Sequence, residues 1–306
     1  MSTVVAYLGP QGTFTEAALL AFQRQGCFSG DVDALPVSSP AEAISALSGA
    51  ADFAVVAIEN SVDGPVTPTF DALASDANTQ IYRETDLEVA FSIMRRSDSG
   101  AVTLATHPVA WQQVKGWVAE QLPGVRFVPA SSNADAARMV SEGQADYAAA
   151  PARAAELYGL EEVATGVADM KGARTRFVLV GKRGLPTKRT GNDRTSVAFT
   201  LPNVPGSLVR ALNEFAVRGV DLSRIESRPT RTDFGTYRFY ADLAGHIDDI
   251  PVGEALRALY LGVEDIHFLG SWPACTDKPG NTGSDDMLAR IHAADIFIQQ
   301  LRTGEH

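Results

Sequence analysis

Five short polar clusters carry the hydroxyl, amide, carboxylate and guanidinium groups with which this chain could hold an anion or move a proton. They are Thr13, Glu59-Asn60-Ser61, Thr106-His107, Ser131-Ser132-Asn133 and Thr175-Arg176. Each lies where an apolar run ends or a helix-like stretch begins. A helix start presents free N–H groups and a partial positive charge, which suits carboxylates. Several such starts around one cleft would bind a small polycarboxylate. Taken singly, Thr13, Thr67 and Ser132 also fit as plain helix caps, Glu59 with Arg176 as a structural ion pair, and His107 before Pro108 as a hydrogen-bonding residue.

Other chemistries find no support. There is no GxSxG, no phosphate loop and no GxGxxG after a strand; Gly9-Pro10-Gln11-Gly12 lacks the lysine that a phosphate loop needs. Histidines 107, 246, 267, 292 and 306 have no metal-ligand spacing, and Cys27 and Cys275 lie far apart in unlike contexts. No metal, no cofactor and no disulfide framework are therefore expected. The chain has 26 Lys+Arg against 37 Asp+Glu, a net charge of −11. That balance argues against a nucleic-acid partner, which requires basic surface. Residues 151–190 run the other way, with 8 basic and 4 acidic side chains. One basic zone in an acidic body suits a small anion. The first residues carry no secretory pattern and no window approaches 18 apolar residues, so no membrane partner and a cytoplasmic setting are expected.

The elements that must position these groups follow from periodicity. A length of 306 residues allows about two domains. Val4 to Leu8 reads as a buried strand, then Thr13 and Glu16 form a capping-box pattern ahead of a helix with Ala17, Leu20 and Ala21 on one face. Ala54 to Ile58 is a second strand, and Thr67-Pro68 reads as a cap followed by proline at the first helical position. Leu104-Ala105 leads into Thr106-His107-Pro108. Ser132-Asn133 precedes a helix carrying Ala136, Ala137 and Val140. Tyr147 to Ala150 and Phe177 to Val180 are further strands. This alternation predicts α/β architecture with mostly parallel sheets and ligands at strand ends. Residues 183–195 have the Gly, Pro, Lys and Arg content of a linker.

After the linker the grammar changes. Val197, Phe199 and Leu201 alternate as a strand, and Asn203-Val204-Pro205-Gly206 opens a helix with Leu208, Leu212 and Phe215 on one face. A strand through Ile225 leads into Glu226-Ser227-Arg228-Pro229, and a third alternates through Tyr237, Phe239, Ala241 and Leu243. A helix through Val252, Leu256 and Leu259 precedes a strand over 263–269. The order βαββαβ is ferredoxin-like. So small a unit often completes its core or edges with a second copy, which predicts a dimer. Met287, Ile291, Ala294 and Ile298 then fall at helical spacing, as in an amphipathic C-terminal helix packed on a domain or a partner.

Tyr7-Leu8-Gly9-Pro10-Gln11-Gly12-Thr13-Phe14, Ile58-Glu59-Asn60-Ser61 and Thr175-Arg176-Phe177 together resemble the prephenate dehydratase family. Tyr158, Leu160, Val163 and Asp169, spaced ahead of Thr175 to Val180, extend the match. The second part resembles the ACT regulatory domain of the same enzymes, with Glu226-Ser227-Arg228-Pro229 matching its phenylalanine-binding motif. The likeness runs in order from about residue 4 to residue 272.

The resemblance implies a two-lobed, periplasmic-binding-protein-like α/β catalytic region over 1–182 and a βαββαβ ACT domain over 196–272, with a tail over 273–306. It implies conversion of prephenate to phenylpyruvate, water and carbon dioxide without a cofactor, and inhibition by L-phenylalanine. A homodimer or homotetramer through the ACT domains is implied too. Thr175 is then the catalytic threonine, too weak an acid to act alone and so an oriented donor or relay. Arg176 either pairs a substrate carboxylate or locks Glu59. Thr13, Asn60, Ser61 and Gln113 become substrate contacts, Gln113 closing the stretch Thr106-His107-Pro108-Val109-Ala110-Trp111-Gln112-Gln113. Glu59, Thr106, His107 and Phe177 belong to the same substrate-binding motifs. Asn203, Pro205, Gly206, Ser207 and Leu208 join Glu226, Ser227, Arg228 and Pro229 as the effector site. Many family members carry Asn two residues before the threonine; here it is Ala173, so the group that orients Thr175 stays open, and with it the choice between prephenate and its amino analogue arogenate. A non-catalytic amino-acid sensor is the alternative from a different class.

Overall fold

The β-branched and aromatic run at the start of the chain forms the first strand of a parallel core, β1 (Thr3–Leu8). The structure is a computed structural model that describes residues 2–96, 102–230, 235–275 and 282–304, without the side chains of 282–288. The side chain of Met287 and all of His306 thus lie outside the described residues. The chain divides into two units, Met1–Ala72 with Thr85–Lys182 and Leu73–Glu84 with Arg183–His306. The sequence-based division did not set residues 73–84 apart.

The first unit has two lobes, each built on its own sheet. After β1 come α1 (Phe14–Arg24), β2 (Val32–Val37), α2 (Pro40–Ser45), β3 (Phe53–Asn60), β4 (Gly64–Pro65), α3 (Thr67–Ser75) and β5 (Thr79–Glu88), the end of α3 and most of β5 counting with the second unit. The second lobe holds β6 (Ser92–Arg95), β7 (Thr103–Thr106), α4 (Pro108–Gln121), β8 (Arg126–Pro129), α5 (Asn133–Ser141), β9 (Tyr147–Ala150), α6 (Ala152–Tyr158) and β10 (Glu161–Ala164). The chain then returns to the first lobe as β11 (Arg174–Lys182). In the first lobe β1 pairs parallel with β2 and β3, and β11 lies antiparallel on β3. In the second lobe the order is β10-β6-β9-β7-β8, parallel around β7 and antiparallel around β6. The return strand β11 makes the first sheet mixed and β6 makes the second mixed, where alternation alone predicts mostly parallel ones.

Helix α1 covers the first sheet with the expected Ala21 and with Ala18, Leu19 and Phe22, while Ala17 and Leu20 are half-buried at the edge of this face. The sheet takes the arc bearing the bulkier Leu19 and Phe22, which pack with Val5, Tyr7, Val55, Phe177 and Leu179. The expected helix through Ala136, Ala137 and Val140 is α5, and these residues pack with Ala105 and Ala148 in the second lobe. Thr67 opens α3 as its first residue and donates to the Pro65 carbonyl at 3.5 Å, so it is not the expected cap.

The second unit is the expected βαββαβ arrangement: β12 (Asp193–Thr200), α7 (Ser207–Ala216), β13 (Leu222–Pro229), β14 (Tyr237–Ala244), α8 (Ile250–Gly262) and β15 (Asp265–Pro273), followed by α9 (Thr282–Thr303). Its antiparallel sheet runs β13-β14-β12-β15, over a core of Val197, Phe199, Phe215, Ala241, Leu243 and Leu259. Strand β12 starts inside the stretch with linker composition. Two residues of its buried polar start are hydrogen-bonded: Asp193 accepts the Thr190 and Gly191 N–H groups, and Thr195 donates to the Gly245 carbonyl at 2.8 Å. On α9, Ile296, Phe297 and Ile298 are exposed, while Ile291 is half-buried.

Residues 73–84 join this unit for two reasons. Gly270 of β15 meets Ile81 of β5 with φ at +142°, and a Cβ there would stand 2.4 Å from the Ile81 carbonyl oxygen, so only glycine allows the pairing. Glu84, fully buried, accepts hydrogen bonds from Arg194 Nε at 3.0 Å, Trp272 Nε1 at 3.0 Å and the Cys275 N–H at 2.9 Å.

Candidate active site

The antiparallel register of β3 and β11 sets Thr175 opposite Asn60 and Arg176 opposite Glu59. A bulge between Arg176 and Phe177 then resumes the pairing at Ala57, so the polar ends of both strands are offset from their apolar bodies. Thr175 and Arg176 are both more than nine-tenths buried. Ser61 ties the strand ends together: its N–H donates to the Arg174 carbonyl at 2.8 Å and its Oγ accepts the Arg174 N–H at 2.9 Å.

Asn60 decides the direction of the Thr175 hydroxyl. Asn60 Oδ1 accepts the backbone N–H groups of Val62 and Asp63, at 2.8 and 3.0 Å. Only the amide Nδ2 is then left to face Thr175, to which it donates at 2.8 Å. Thr175 Oγ1 is an acceptor in this contact, and its own proton is directed elsewhere. The orienting group left open by Ala173 is therefore Asn60; Ala173 itself is a buried apolar residue.

Arg176 donates to Glu59 through Nη2 at 2.7 Å, the cross-strand pair foreseen as one reading of these residues. Two other arginines of the basic zone in this unit have carboxylate neighbours of their own: Arg153 on Glu16 at 3.2 Å and Arg174 near Asp86 at 3.9 Å. Arg174 and Arg176 both flank Thr175 in β11, Arg174 exposed and Arg176 buried beside Glu59.

The second lobe contributes α4. His107 caps it, Nδ1 accepting the Val109 N–H at 3.3 Å, with Pro108 in the first turn. Burial lowers the His107 pKa from its ordinary 6.5. The folded chain then binds fewer protons here than the unfolded one, so stability falls as pH drops through 6.5 toward the folded value. Protonation would also remove the acceptor that caps the helix. An NMR titration of the His107 ring is expected to give a pKa below 6.5, and a value at or above it overturns the assignment. His107→Ala is expected to cost about 1 kcal/mol of stability and His107→Asn much less, since asparagine caps well. Thr106 is fully buried, with its hydroxyl bonded to the Ala149 carbonyl at 2.8 Å and within 3.2 Å of Asn133 Oδ1, so it supports the lobe and reaches no open surface. Phe177 likewise points into the first-lobe core and not into a site. The family motif names both positions, but a motif cannot show which face of a strand its residues occupy.

Gln113 crosses between the lobes: from α4 its Nε2 donates to Asp63 Oδ2, in the loop after β3, at 2.9 Å. Gln113 Oε1 is buried and has no hydrogen-bond partner among the described residues. An unmet buried acceptor costs about 1–3 kcal/mol, which a ligand donor would return. In the sequence Asp63 stands before Gly64 as an ordinary turn residue, and its partner lies 50 residues away in the chain.

Thr13 caps α1 and accepts the Glu16 N–H at 3.3 Å, but Glu16 reaches back to the Gly12 N–H at 2.8 Å, one residue beyond the Thr13 N–H of the expected capping box. The same device recurs at α2, where Glu42 accepts the Ser38 N–H, and at α5, where Asp135 accepts the Ser131 N–H. Three helix starts thus carry their own carboxylates, which offsets the bare positive ends expected from sequence. Gly12, at φ +85°, lets its loop approach the second lobe; a Cβ there would sit 3.2 Å from Leu157 and 3.4 Å from Ala134. An open cavity of about 590 Å³ adjoins these starts, lined by Pro10, Thr13, Ser38, Glu42, Ser131 and Ser132 among others. Thr175 and Asn60 are not on its wall, and it is their hydroxyl–amide contact, not the cavity, that marks the chemistry. Tyr7, nearby and buried, has its phenol pushed up to about 12 by burial and by Glu16, and so stays neutral.

In the second unit the two effector motifs share one end of the sheet. Thr200, the last residue of β12, and Arg228 of β13 both pair with Arg238 of β14. Asn203, Pro205 and Gly206 are exposed in the loop that follows Thr200, and Ser207 and Leu208 form the half-buried first turn of α7. Along β13 the exposure alternates, Glu226 and Arg228 half-buried, Ser227 and Pro229 exposed.

Fold and site together define a two-lobed, periplasmic-binding-protein-like α/β region with an oriented threonine at a strand end, in a chain that also carries a βαββαβ module. The family model described as prephenate dehydratase matches residues 5–184, and that of the ACT domain residues 195–259. The chain belongs to the prephenate dehydratase family. A prephenate dehydratase of Corynebacterium glutamicum is 58% identical over 307 residues, covering 99% of this chain and 97% of that protein. The crystal structure of prephenate dehydratase from Arthrobacter aurescens in complex with L-Phe superposes with a TM-score of 0.85 at 38% identity, over 97% of this chain and 99% of that one. A structure described as a novel type of quorum quenching acylase gives 0.78 at 32% identity, over 90% and 98%.

Proposed function

We propose that the cleft between the two lobes converts prephenate to phenylpyruvate, carbon dioxide and water. The observation that carries this reading is the Asn60–Thr175 contact, which leaves a threonine proton free to donate in a chain of this family. Prephenate is a dianion. Loss of its ring carboxylate as carbon dioxide sends an electron pair through the ring, the 4-hydroxyl leaves, and one proton taken up makes the departing group water. Aromatisation drives the step, so the protein's tasks are to hold, to orient and to assist departure. Thr175 donates toward the leaving oxygen. Arg176, steadied by Glu59, supplies positive charge beside it, and Gln113, Asn60, Ser61 and Thr13 shape the site from both lobes. A buried setting also favours carboxylate loss by stripping water from it.

L-phenylalanine is the proposed effector, bound at the sheet end that holds Asn203 to Leu208 and Glu226 to Pro229. The L-Phe complex of the Arthrobacter aurescens enzyme supports this. The effector acts by its different affinity for two arrangements of the enzyme. Pairing of the modules through the β13 edge would make a dimer or tetramer, and the setting is cytoplasmic. Among the described residues no helix is long and apolar enough to cross a membrane.

Purified protein is expected to form phenylpyruvate from prephenate, read by its ultraviolet absorbance, and to lose most of that activity in millimolar L-phenylalanine. Absence of product sinks the reading. Faster turnover of arogenate would reassign the substrate, and full activity with L-phenylalanine would remove the regulation.

A further inference from the structure

We propose that Asp63 is a positioning residue for this reaction, turning the Gln113 side chain so that its carbonyl oxygen is the group offered to a ligand. Asp63 stands in the turn that ends β3, on the first lobe, and Gln113 is buried on α4 of the second. Their contact is Gln113 Nε2 to Asp63 Oδ2 at 2.9 Å. An ionised carboxylate accepts and cannot donate, so the amide must present its NH2 to Asp63. The opposite face of the amide, Oε1, is then the acceptor, buried and without a hydrogen-bond partner among the described residues.

The same turn serves Thr175. Asn60 Oδ1 accepts the N–H of Asp63, and Asn60 Nδ2 donates to Thr175 Oγ1. One short segment therefore sets two groups by the same logic: Asn60 leaves a threonine proton to give, and Asp63 leaves a glutamine carbonyl to receive. The side-chain contact also fastens one lobe to the other.

This fixes the chemistry that Gln113 recognises. A carbonyl oxygen next to a carboxylate takes a hydroxyl or an ammonium group and disfavours a carboxylate. If the cleft binds prephenate, on which this inference rests, the group concerned is the 4-hydroxyl, the one donor of a molecule whose two carboxylates are ionised. Arogenate would offer its ammonium as a second.

Steady-state kinetics with prephenate on the wild type, Asp63→Ala, Asp63→Asn, Gln113→Ala and the Asp63→Ala/Gln113→Ala pair test the assignment. Asp63→Ala is expected to raise KM about tenfold with kcat within about threefold, and to add nothing once Gln113 is alanine. Asp63→Asn, which keeps the shape but lets the amide turn either way, is expected to fall between. Wild-type kinetics in Asp63→Ala would overturn the inference, as would losses that multiply in the double variant. A large fall in thermal midpoint for both Asp63 variants would make the residue structural and overturn it too. A wild type inactive on prephenate would instead bring down the functional reading, and this inference with it.

Discussion

Thr175→Ala is expected to lower kcat for prephenate by about 10²–10⁴-fold, with KM within about threefold and the thermal midpoint unchanged. The split follows from the geometry. Thr175 is buried at the start of β11 and receives a hydrogen bond from Asn60, so its proton is the part that acts on substrate. A donor that strengthens only as the leaving oxygen gathers charge lowers the barrier without tightening the ground state. Thr175→Ser keeps the hydroxyl and should retain most of the rate. Near-normal turnover by the alanine variant would remove Thr175 from the reaction, leaving water as the proton source.

Arg194→Met should destabilise the unit built on β12 to β15 by about 3–5 kcal/mol. Its partner Glu84 is fully buried, and two of its other donors, Trp272 Nε1 and the Cys275 N–H, carry no full positive charge. Removing one member of a buried ion pair strands the other, which is why the loss exceeds that of a surface pair. Pairing the change with Glu84→Leu should recover much of the stability, since an apolar pair needs no desolvated charge. Urea unfolding followed by tryptophan fluorescence reads both effects, Trp272 being buried against Glu84. A loss below about 1 kcal/mol in Arg194→Met would show that the buried carboxylate does not need its cation.

These predictions divide along the line between local and distant information. Thr175 and Asn60 stand in short motifs, and their types announce hydrogen bonding at a strand end. Nothing local to Glu84 marks it: a glutamate in an alternating strand reads as solvent-facing, and its cation Arg194 lies 110 residues on. Asp63 was passed over in the same way. Thr106 and Phe177 err in the opposite direction, since their motif is real but their side chains face the interior. The expected cluster of bare helix starts failed on a rotamer-scale detail, the reach of Glu16, Glu42 and Asp135 to the residue before each cap.

Periodicity and turn chemistry were enough for part of the first region's strands and helices and for the βαββαβ order, because apolar spacing and caps act within a few residues of chain; the catalytic-then-regulatory order of motifs came from the family resemblance. Side-chain identity was enough for the type of chemistry, a hydroxyl and a guanidinium beside an amide. Direction was decided in three dimensions. Which way the Thr175 proton faces, which end of the Gln113 amide is free, and why residues 73–84 leave their sequence neighbours all depend on partners far along the chain. A hydrogen bond is a vector between two groups, and one chain segment holds only one of its ends.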